Sequence, residues 1–145
     1  MVFADNVLEH LPDPVAVFKE VNRVLRSNGV FIAKTPNKRH YMPIAARLTP
    51  HWFHVWFENI RGRDQDDIFP TLYLANTETD LRNAAKSAQL SVEKIEFIEG
   101  RPEYLRISSV SYIFGWLYER IVNLFKPLMR FRILIVIQLK KSEIK

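Results

Sequence analysis

The sequence predicts an α/β fold built around a mainly parallel sheet, and three observations support this prediction. Short apolar runs typical of buried strands occur at residues 2–4, 30–33 and 132–139, and residues 92–98 alternate enough for a further strand. Amphipathic helical patterns with recognisable ends separate these runs. The alternation of strand and helix places helices against the faces of one sheet, as in layered α/β domains.

The first helix has clear signals at both ends. Asp13 can accept hydrogen bonds from the exposed N–H groups of the first turn, and Pro14 suits the first helical position. Helical spacing predicts one apolar stripe facing the sheet, formed by Val17, Val21, Val24 and Leu25. Asn28 and Gly29 tolerate the left-handed backbone that ends many helices, so we expect the helix to stop there.

The middle of the chain shows no clean period. We interpret residues 38–76 as an insertion with one or two short helices and not as part of the core sheet. Thr77 then begins a second helix with acidic residues in its first turn, and an inward face of Leu81, Ala84, Ala85 and Ala88 is expected.

The carboxyl-terminal third carries the whole basic excess of the chain. Residues 1–100 contain 12 Lys or Arg against 13 Asp or Glu, whereas residues 101–145 contain 9 against 3. Residues 105–131 are predicted to form an amphipathic helical connection that Pro127 interrupts. This segment could pack on the sheet, cap a substrate site or rest on an anionic membrane surface.

Composition excludes several classes of protein. The chain has no cysteine, so disulfides and thiolate metal sites are ruled out. Its longest uncharged stretch, residues 107–118, is shorter than the ~20 residues that span a bilayer. The basic residues form no compact cluster with a stacking platform, so no nucleic-acid partner is expected. The start of the chain lacks the pattern of a signal peptide, and we expect a cytoplasmic protein with at most peripheral membrane contact.

Three consecutive motifs carry a family resemblance. They are Asn-Val-Leu-Glu-His-Leu-Pro-Asp-Pro at 6–14, Arg-Val-Leu-Arg-Ser-Asn-Gly at 23–29 and Thr-Pro-Asn at 35–37. In this order they resemble the second half of a class I S-adenosylmethionine-dependent methyltransferase domain of the small-molecule branch. The resemblance implies a partial Rossmann-like fold with the last four strands of a seven-stranded, mainly parallel sheet. The last strand would lie antiparallel between the two before it.

The resemblance also implies a cofactor and its border. S-adenosylmethionine would lie beside the turn after the first strand, at Asp5, Asn6 and Val7, largely through backbone groups. The family's glycine-rich cofactor loop would precede these residues. We therefore expect a single partial domain over residues 1–145, a truncated or split product that is inactive alone and needs an N-terminal half or partner chain.

Four residues are candidates for chemistry at the acceptor. Glu9 and His10 are an adjacent acid and imidazole that can act as a base or simply orient the loop. Some relatives place Glu-x-x-Glu-His here around a divalent metal, but Asn6 replaces the first carboxylate, so no metal site is predicted. The resemblance implies that residues 38–76 cover the substrate. Within them, His51 and His54 could line a substrate pocket as a base, bind a metal or belong to a packed helix.

The predicted function is methyl transfer to a small-molecule or lipid- or glycan-linked acceptor. No acid–base pair is required, because the sulfonium of the cofactor already activates the methyl group and the protein chiefly aligns the reactants. The alternative is a non-enzymatic half-fold that binds a membrane surface or a partner protein through residues 105–132.

Overall fold

The computed structural model describes residues 1–49, 71–100 and 105–142. In this part of the chain one sheet contains β1 (Val2–Asp5), β2 (Val30–Pro36), β3 (Leu90–Ile98) and β4 (Leu134–Lys141). The helices are α1 (Pro14–Val24), α2 (Tyr41–Leu48), α3 (Glu78–Ser87) and α4 (Ser109–Leu124), with 3-10 turns at Leu8–His10 and Lys126–Phe131.

The order of the strands is β1-β2-β4-β3. β1 pairs parallel with β2, and β4 pairs antiparallel with both β2 and β3. β1, β2 and β3 therefore run in one direction and end at the same edge, which we call the carboxyl edge. The antiparallel last strand predicted from the resemblance is confirmed. β2 continues to Pro36 instead of stopping at Ala33, because Thr35 and Pro36 pair with β4.

Helix α1 begins as predicted, but one residue of its apolar face was assigned wrongly. Asp13 Oδ1 accepts a hydrogen bond of 2.9 Å from the N–H of Ala16, and Pro14 occupies the first helical position. The buried face contains Phe18 and continues to Leu25, whereas Val24 is 57% exposed. Adjacent helical residues point about 100° apart, so Val24 lies at the rim of a face that is centred near Phe18 and Leu25.

Helix α1 ends at Val24, earlier than the expected stop at Asn28 and Gly29, which lie in a separate turn before β2. Lys141 Nζ donates hydrogen bonds to the carbonyl oxygens of Asn22 at 2.6 Å and Leu25 at 2.8 Å. These bonds satisfy carbonyl groups that a helix terminus leaves open. Asn28 adopts a φ of 61°. A Cβ on Gly29 would lie 2.7 Å from the carbonyl oxygen of Arg26, so this position needs glycine for space.

The core lies between the sheet and the helices α1 and α3. Thr77 Oγ1 accepts a hydrogen bond of 3.2 Å from the N–H of Asp80 at the start of α3. Its predicted inward residues are all buried: Leu81, Ala84, Ala85 and Ala88. They pack in one cluster with Ile135, Ile137 and Leu139, the alternate residues of β4 that are buried on this face of the sheet.

Helix α4 forms where the periodicity indicates, and Ser108 caps it with a reciprocal bond to Ser111. Pro127 lies in the following 3-10 turn, beyond the end of the helix. Gly115 and Val122 are buried, but most of the large apolar side chains of α4 are exposed. The pattern therefore predicted the helix correctly, while its apolar face is largely uncovered.

Candidate functional site

The turn after β1 lies at the carboxyl edge and is exposed. Asn6 has a φ of 51°, a left-handed conformation that asparagine tolerates better than most residues. Its N–H donates a hydrogen bond of 2.9 Å to the carbonyl oxygen of Lys34, and Lys34 Nζ lies 2.7 Å from Asp5 Oδ1. The turn is thus held to β2, while the side chains of Asp5, Asn6 and Val7 remain exposed.

Glu9 is buried and links three segments that meet at this edge. Its Oε2 accepts a hydrogen bond of 3.2 Å from Thr35 Oγ1 at the end of β2. Its carbonyl oxygen accepts bonds from the N–H groups of Leu72 at 2.7 Å and Tyr73 at 3.1 Å. Asn76 Nδ2 completes the network with a bond of 2.6 Å to Thr35 Oγ1. The structure therefore gives Glu9 contacts that fix the backbone of the edge.

His10, the neighbour of Glu9, is the other acid–base candidate within the described residues. His10 is about one-third exposed, and its Nε2 lies 4.0 Å from Glu9 Oε1. His51 and His54 lie outside the described residues. Within residues 1–49, 71–100 and 105–142, no three His, Cys, Asp or Glu side chains come together in a way that could hold a metal ion.

Asn37 fastens the segment before β4 to the end of β2. It is 1% exposed, and its Nδ2 donates to the carbonyl oxygens of Arg130 at 2.8 Å and Arg132 at 2.7 Å. Its Oδ1 accepts a bond of 3.0 Å from the N–H of Arg39. Because the side chain of Asn37 is removed from water, these bonds avoid the cost of leaving its buried amide unsatisfied.

A buried histidine–carboxyl pair that was not predicted from the sequence lies at the same edge. His40 and Glu99 follow β2 and β3, and their side chains are 1% and 4% exposed, with His40 Nε2 4.0 Å from Glu99 Oε1. His40 Nδ1 accepts a bond of 3.3 Å from the N–H of Met42, which places the ring proton on Nε2, toward Glu99. Glu99 Oε2 accepts a bond of 3.0 Å from the N–H of Ile133.

Aromatic rings of two helices enclose this pair. The ring centroid of His40 lies 4.1 Å from that of Tyr41 and 5.5 Å from that of Tyr118. Tyr118 donates a hydrogen bond of 2.6 Å to the carbonyl oxygen of Phe131. The inner side of α4 is thus anchored to the residues that lead into β4.

Burial dominates the titration of the cluster. Desolvation raises the pKa of Glu99 to about 7. The Ile133 N–H and Arg132 lower this pKa by smaller amounts, and the nearby Glu119 raises it. Burial also lowers the pKa of His40 to about 4 and raises the pKa of Tyr118 to about 12. Near neutral pH the pair therefore contains a neutral imidazole and a carboxyl group that is partly protonated, which can accept or donate a proton.

Comparison with known proteins agrees with the motifs and with the sheet. The family model described as "Methyltransferase domain" matches residues 1–33, which include β1, α1 and most of β2. A solved structure described as an S-adenosylmethionine-dependent methyltransferase from Listeria monocytogenes matches with a TM-score of 0.51 at 13% identity. The match covers 98% of this chain and 61% of that chain.

The fold is that of the carboxyl-terminal part of a class I methyltransferase domain. A sarcosine dimethylglycine methyltransferase structure from Galdieria sulphuraria also matches, with 17% identity and a TM-score of 0.44, over 97% of this chain and 52% of that chain. The chain therefore spans about half to three fifths of the length of these two solved structures. No curated protein sequence matches the sequence of this chain significantly.

Proposed function

We propose that this chain forms the acceptor side and one cofactor border of an S-adenosylmethionine-dependent methyltransferase, acting on a small-molecule or lipid- or glycan-linked acceptor. The observation that carries the proposal is the position of β4, antiparallel between β2 and β3. This arrangement brings the turn after β1, the end of β2 and the end of β3 to one edge. Ligands of open α/β sheets bind outside the carboxyl ends of their strands.

The residues present fit one border of the cofactor. Asp5, Asn6 and Val7 are exposed at the carboxyl edge, and the hydrogen bond from Asn6 to β2 holds their backbone in a fixed turn. The four glycines of the sequence are 29, 62, 100 and 115, so no glycine-rich loop occurs within these residues. The rest of the cofactor site would come from a preceding half-domain or a partner chain.

The protein's contribution to catalysis would be alignment and exclusion of water. Bound S-adenosylmethionine supplies an activated methyl group, so no strong base is essential. The buried bonds of Glu9, Asn37 and Asn76 hold the edge rigid, which restricts the positions that the two reactants can take. The Glu99–His40 pair keeps the acceptor side of this edge in place.

The proposed function is tested by measuring the affinity for the cofactor of two proteins, residues 1–145 alone and a fusion that adds an N-terminal half. By calorimetry, residues 1–145 alone should bind S-adenosylmethionine more weakly than about 1 mM, because only one border is present. A fusion that places the N-terminal half of the Listeria monocytogenes protein before Met1 should bind in the micromolar range. Micromolar affinity of residues 1–145 alone would contradict the division of the site.

A matched pair of substitutions in the fusion locates the site. Val7 and Val24 are 45% and 57% exposed, but Val7 lies at the carboxyl edge and Val24 at the far end of α1. Val7→Arg should weaken binding at least about tenfold, because it adds bulk and positive charge beside a cationic ligand. Val24→Arg should leave the affinity unchanged. A fusion that is folded by circular dichroism yet does not bind, or equal effects of both variants, would refute the assignment.

A further inference from the structure

Helix α4 exposes a continuous apolar stripe. Side chains at helical spacing share this face, which we call the α4 stripe: Val110, Ile113, Phe114, Leu117, Ile121 and Leu124. All six are exposed, with Phe114 at 66% and Leu124 at 76%. An amphipathic helix of a globular domain normally buries this stripe, so an uncovered one indicates an interaction surface.

The opposite side of the helix is already occupied. Val122 and Gly115 are buried, and Tyr118 is bonded to the carbonyl oxygen of Phe131. The helix therefore cannot rotate its stripe toward the core without breaking these contacts. The stripe faces away from the domain because the domain holds the other face.

The charges around the stripe are almost all positive. Residues 105–132 contain five basic residues and one acidic residue, Glu119. Arg106, Arg120, Lys126 and Arg130 are exposed, whereas Arg132 is turned inward to the carbonyl oxygen of Phe97. A second copy of this surface would bring like charges together, so charge complementarity favours an anionic partner.

Amphipathic rings flank the stripe on one side. Tyr112 and Trp116 are 41% and 42% exposed one helical turn apart, and the guanidinium of Arg120 lies 5.2 Å from the centre of the Trp116 ring. Tyrosine and tryptophan favour the boundary between water and lipid, where one end of the ring is wet and the other apolar. Arginine there keeps its charge in water while its stem covers apolar surface.

We infer that α4 is a membrane-binding helix that lies in the plane of an anionic lipid bilayer, with the α4 stripe in the acyl boundary and its basic residues at the headgroups. Among the described residues no helix is long and apolar enough to cross a membrane, so the helix binds the surface. Membrane binding requires neither the cofactor nor methyl transfer. A failure to bind membranes would therefore leave the proposed methyl transfer untouched, and a failure to bind the cofactor would leave the membrane proposal untouched.

Vesicle co-sedimentation tests the inference with the full chain. Binding should occur with vesicles of phosphatidylcholine and phosphatidylserine at low salt and should weaken at least about tenfold in pure phosphatidylcholine or in 0.5 M salt. Absence of binding to the anionic vesicles at low salt would overturn the proposal. Equal binding to both kinds of vesicle would overturn the role of the basic residues.

Two matched pairs of variants locate the surface. Phe114→Asp should weaken vesicle binding at least about tenfold, while Phe3→Asp, on a side chain 60% exposed on β1, should not. The double variant Arg120→Glu/Lys126→Glu should weaken binding by more than about tenfold, since each basic residue near an anionic surface contributes about fivefold. Lys19→Glu on α1 combined with Arg26→Glu, two residues beyond its end, changes the net charge equally and should have a much smaller effect.

The variants also distinguish a lipid surface from a protein as the partner of the α4 stripe. All substituted side chains are exposed, so circular dichroism spectra should match that of the parent chain. Sedimentation velocity measures whether Phe114→Asp dissociates an oligomer of the parent chain. If it does, and the parent does not bind vesicles, the α4 stripe belongs to a protein interface and the lipid assignment is wrong. Equal losses from Phe114→Asp and Phe3→Asp would likewise contradict it.

Discussion

Asn37→Asp should lower the free energy of unfolding by about 3–5 kcal/mol, although the two side chains have nearly the same shape. The substitution removes the two donors that bond the carbonyl oxygens of Arg130 and Arg132 at 2.8 and 2.7 Å. It places a carboxylate against these oxygens at a position that is 1% exposed. Urea unfolding followed by circular dichroism measures the change.

A control with the same chemistry separates this effect from a general one. Asn123 is exposed in the last turn of α4, where a negative charge meets the helix dipole unfavourably, and Asn123→Asp should lower the free energy of unfolding by less than about 1 kcal/mol. If Asn37→Asp is as stable as the parent to within about 1 kcal/mol, Asn37 does not fasten the last strand. The Thr-Pro-Asn motif would then need another explanation.

Glu99→Gln should gain stability relative to the parent chain as the pH rises. Burial raises the pKa of Glu99 from 4.5 to about 7, so the folded chain keeps this proton where the unfolded chain has released it. The parent therefore loses stability from Glu99 between about pH 4.5 and 7, and glutamine does not. The difference between variant and parent should grow by about 3 kcal/mol over this range.

His40→Asn should show the opposite pH dependence. Burial lowers the pKa of His40 from 6.5 to about 4, so the unfolded chain binds a proton that the folded chain refuses. The parent loses stability from His40 as the pH falls from about 6.5 to 4, and the asparagine variant gains relative to it. Between about pH 4.5 and 6.5 the two effects cancel in the parent, because folded and unfolded pairs bind the same number of protons.

Urea unfolding at a series of pH values separates the two slopes. Each should approach about 1.4 kcal/mol per pH unit, the value for one proton. Asparagine at position 40 retains a side chain that can cap α2, so the comparison does not depend on loss of the helix start. A difference between Glu99→Gln and the parent that is the same at pH 4.5 and pH 7.5 would show that the carboxyl group is not desolvated.

Local signals predicted most of the helices and strands. The caps at Asp13 and Thr77 could be recognised because a side-chain acceptor bonds N–H groups within the next three residues. The buried face of α1 was harder to predict. Phe18, which packs edge-on against Phe31 with ring centroids 5.6 Å apart, lies at the centre of this face. Val24 lies to one side of that centre, and periodicity alone did not distinguish the two choices.

Long-range features escaped the sequence analysis for a physical reason. His40 and Glu99 approach only because β4 inserts between β2 and β3, which no local pattern encodes. One signal was available: Glu99 directly follows a strand, and side chains there lie at the carboxyl edge. Candidate residues were sought in the turn after β1, at Glu9 and His10 and at His51 and His54, but not directly after β3. The helical pattern of α4 likewise could not show that its stripe is uncovered.

The most direct test of the methyltransferase assignment is to map where the cofactor product touches the chain. S-adenosylhomocysteine titrated into ¹⁵N-labelled residues 1–145, up to about 10 mM, should produce saturable shifts at the backbone amides of Asn6, Val7 and Leu8. The amides of residues 27–30, at the opposite edge of the sheet, should not move. Saturable shifts at residues 27–30 with none at the turn after β1 would contradict the assignment.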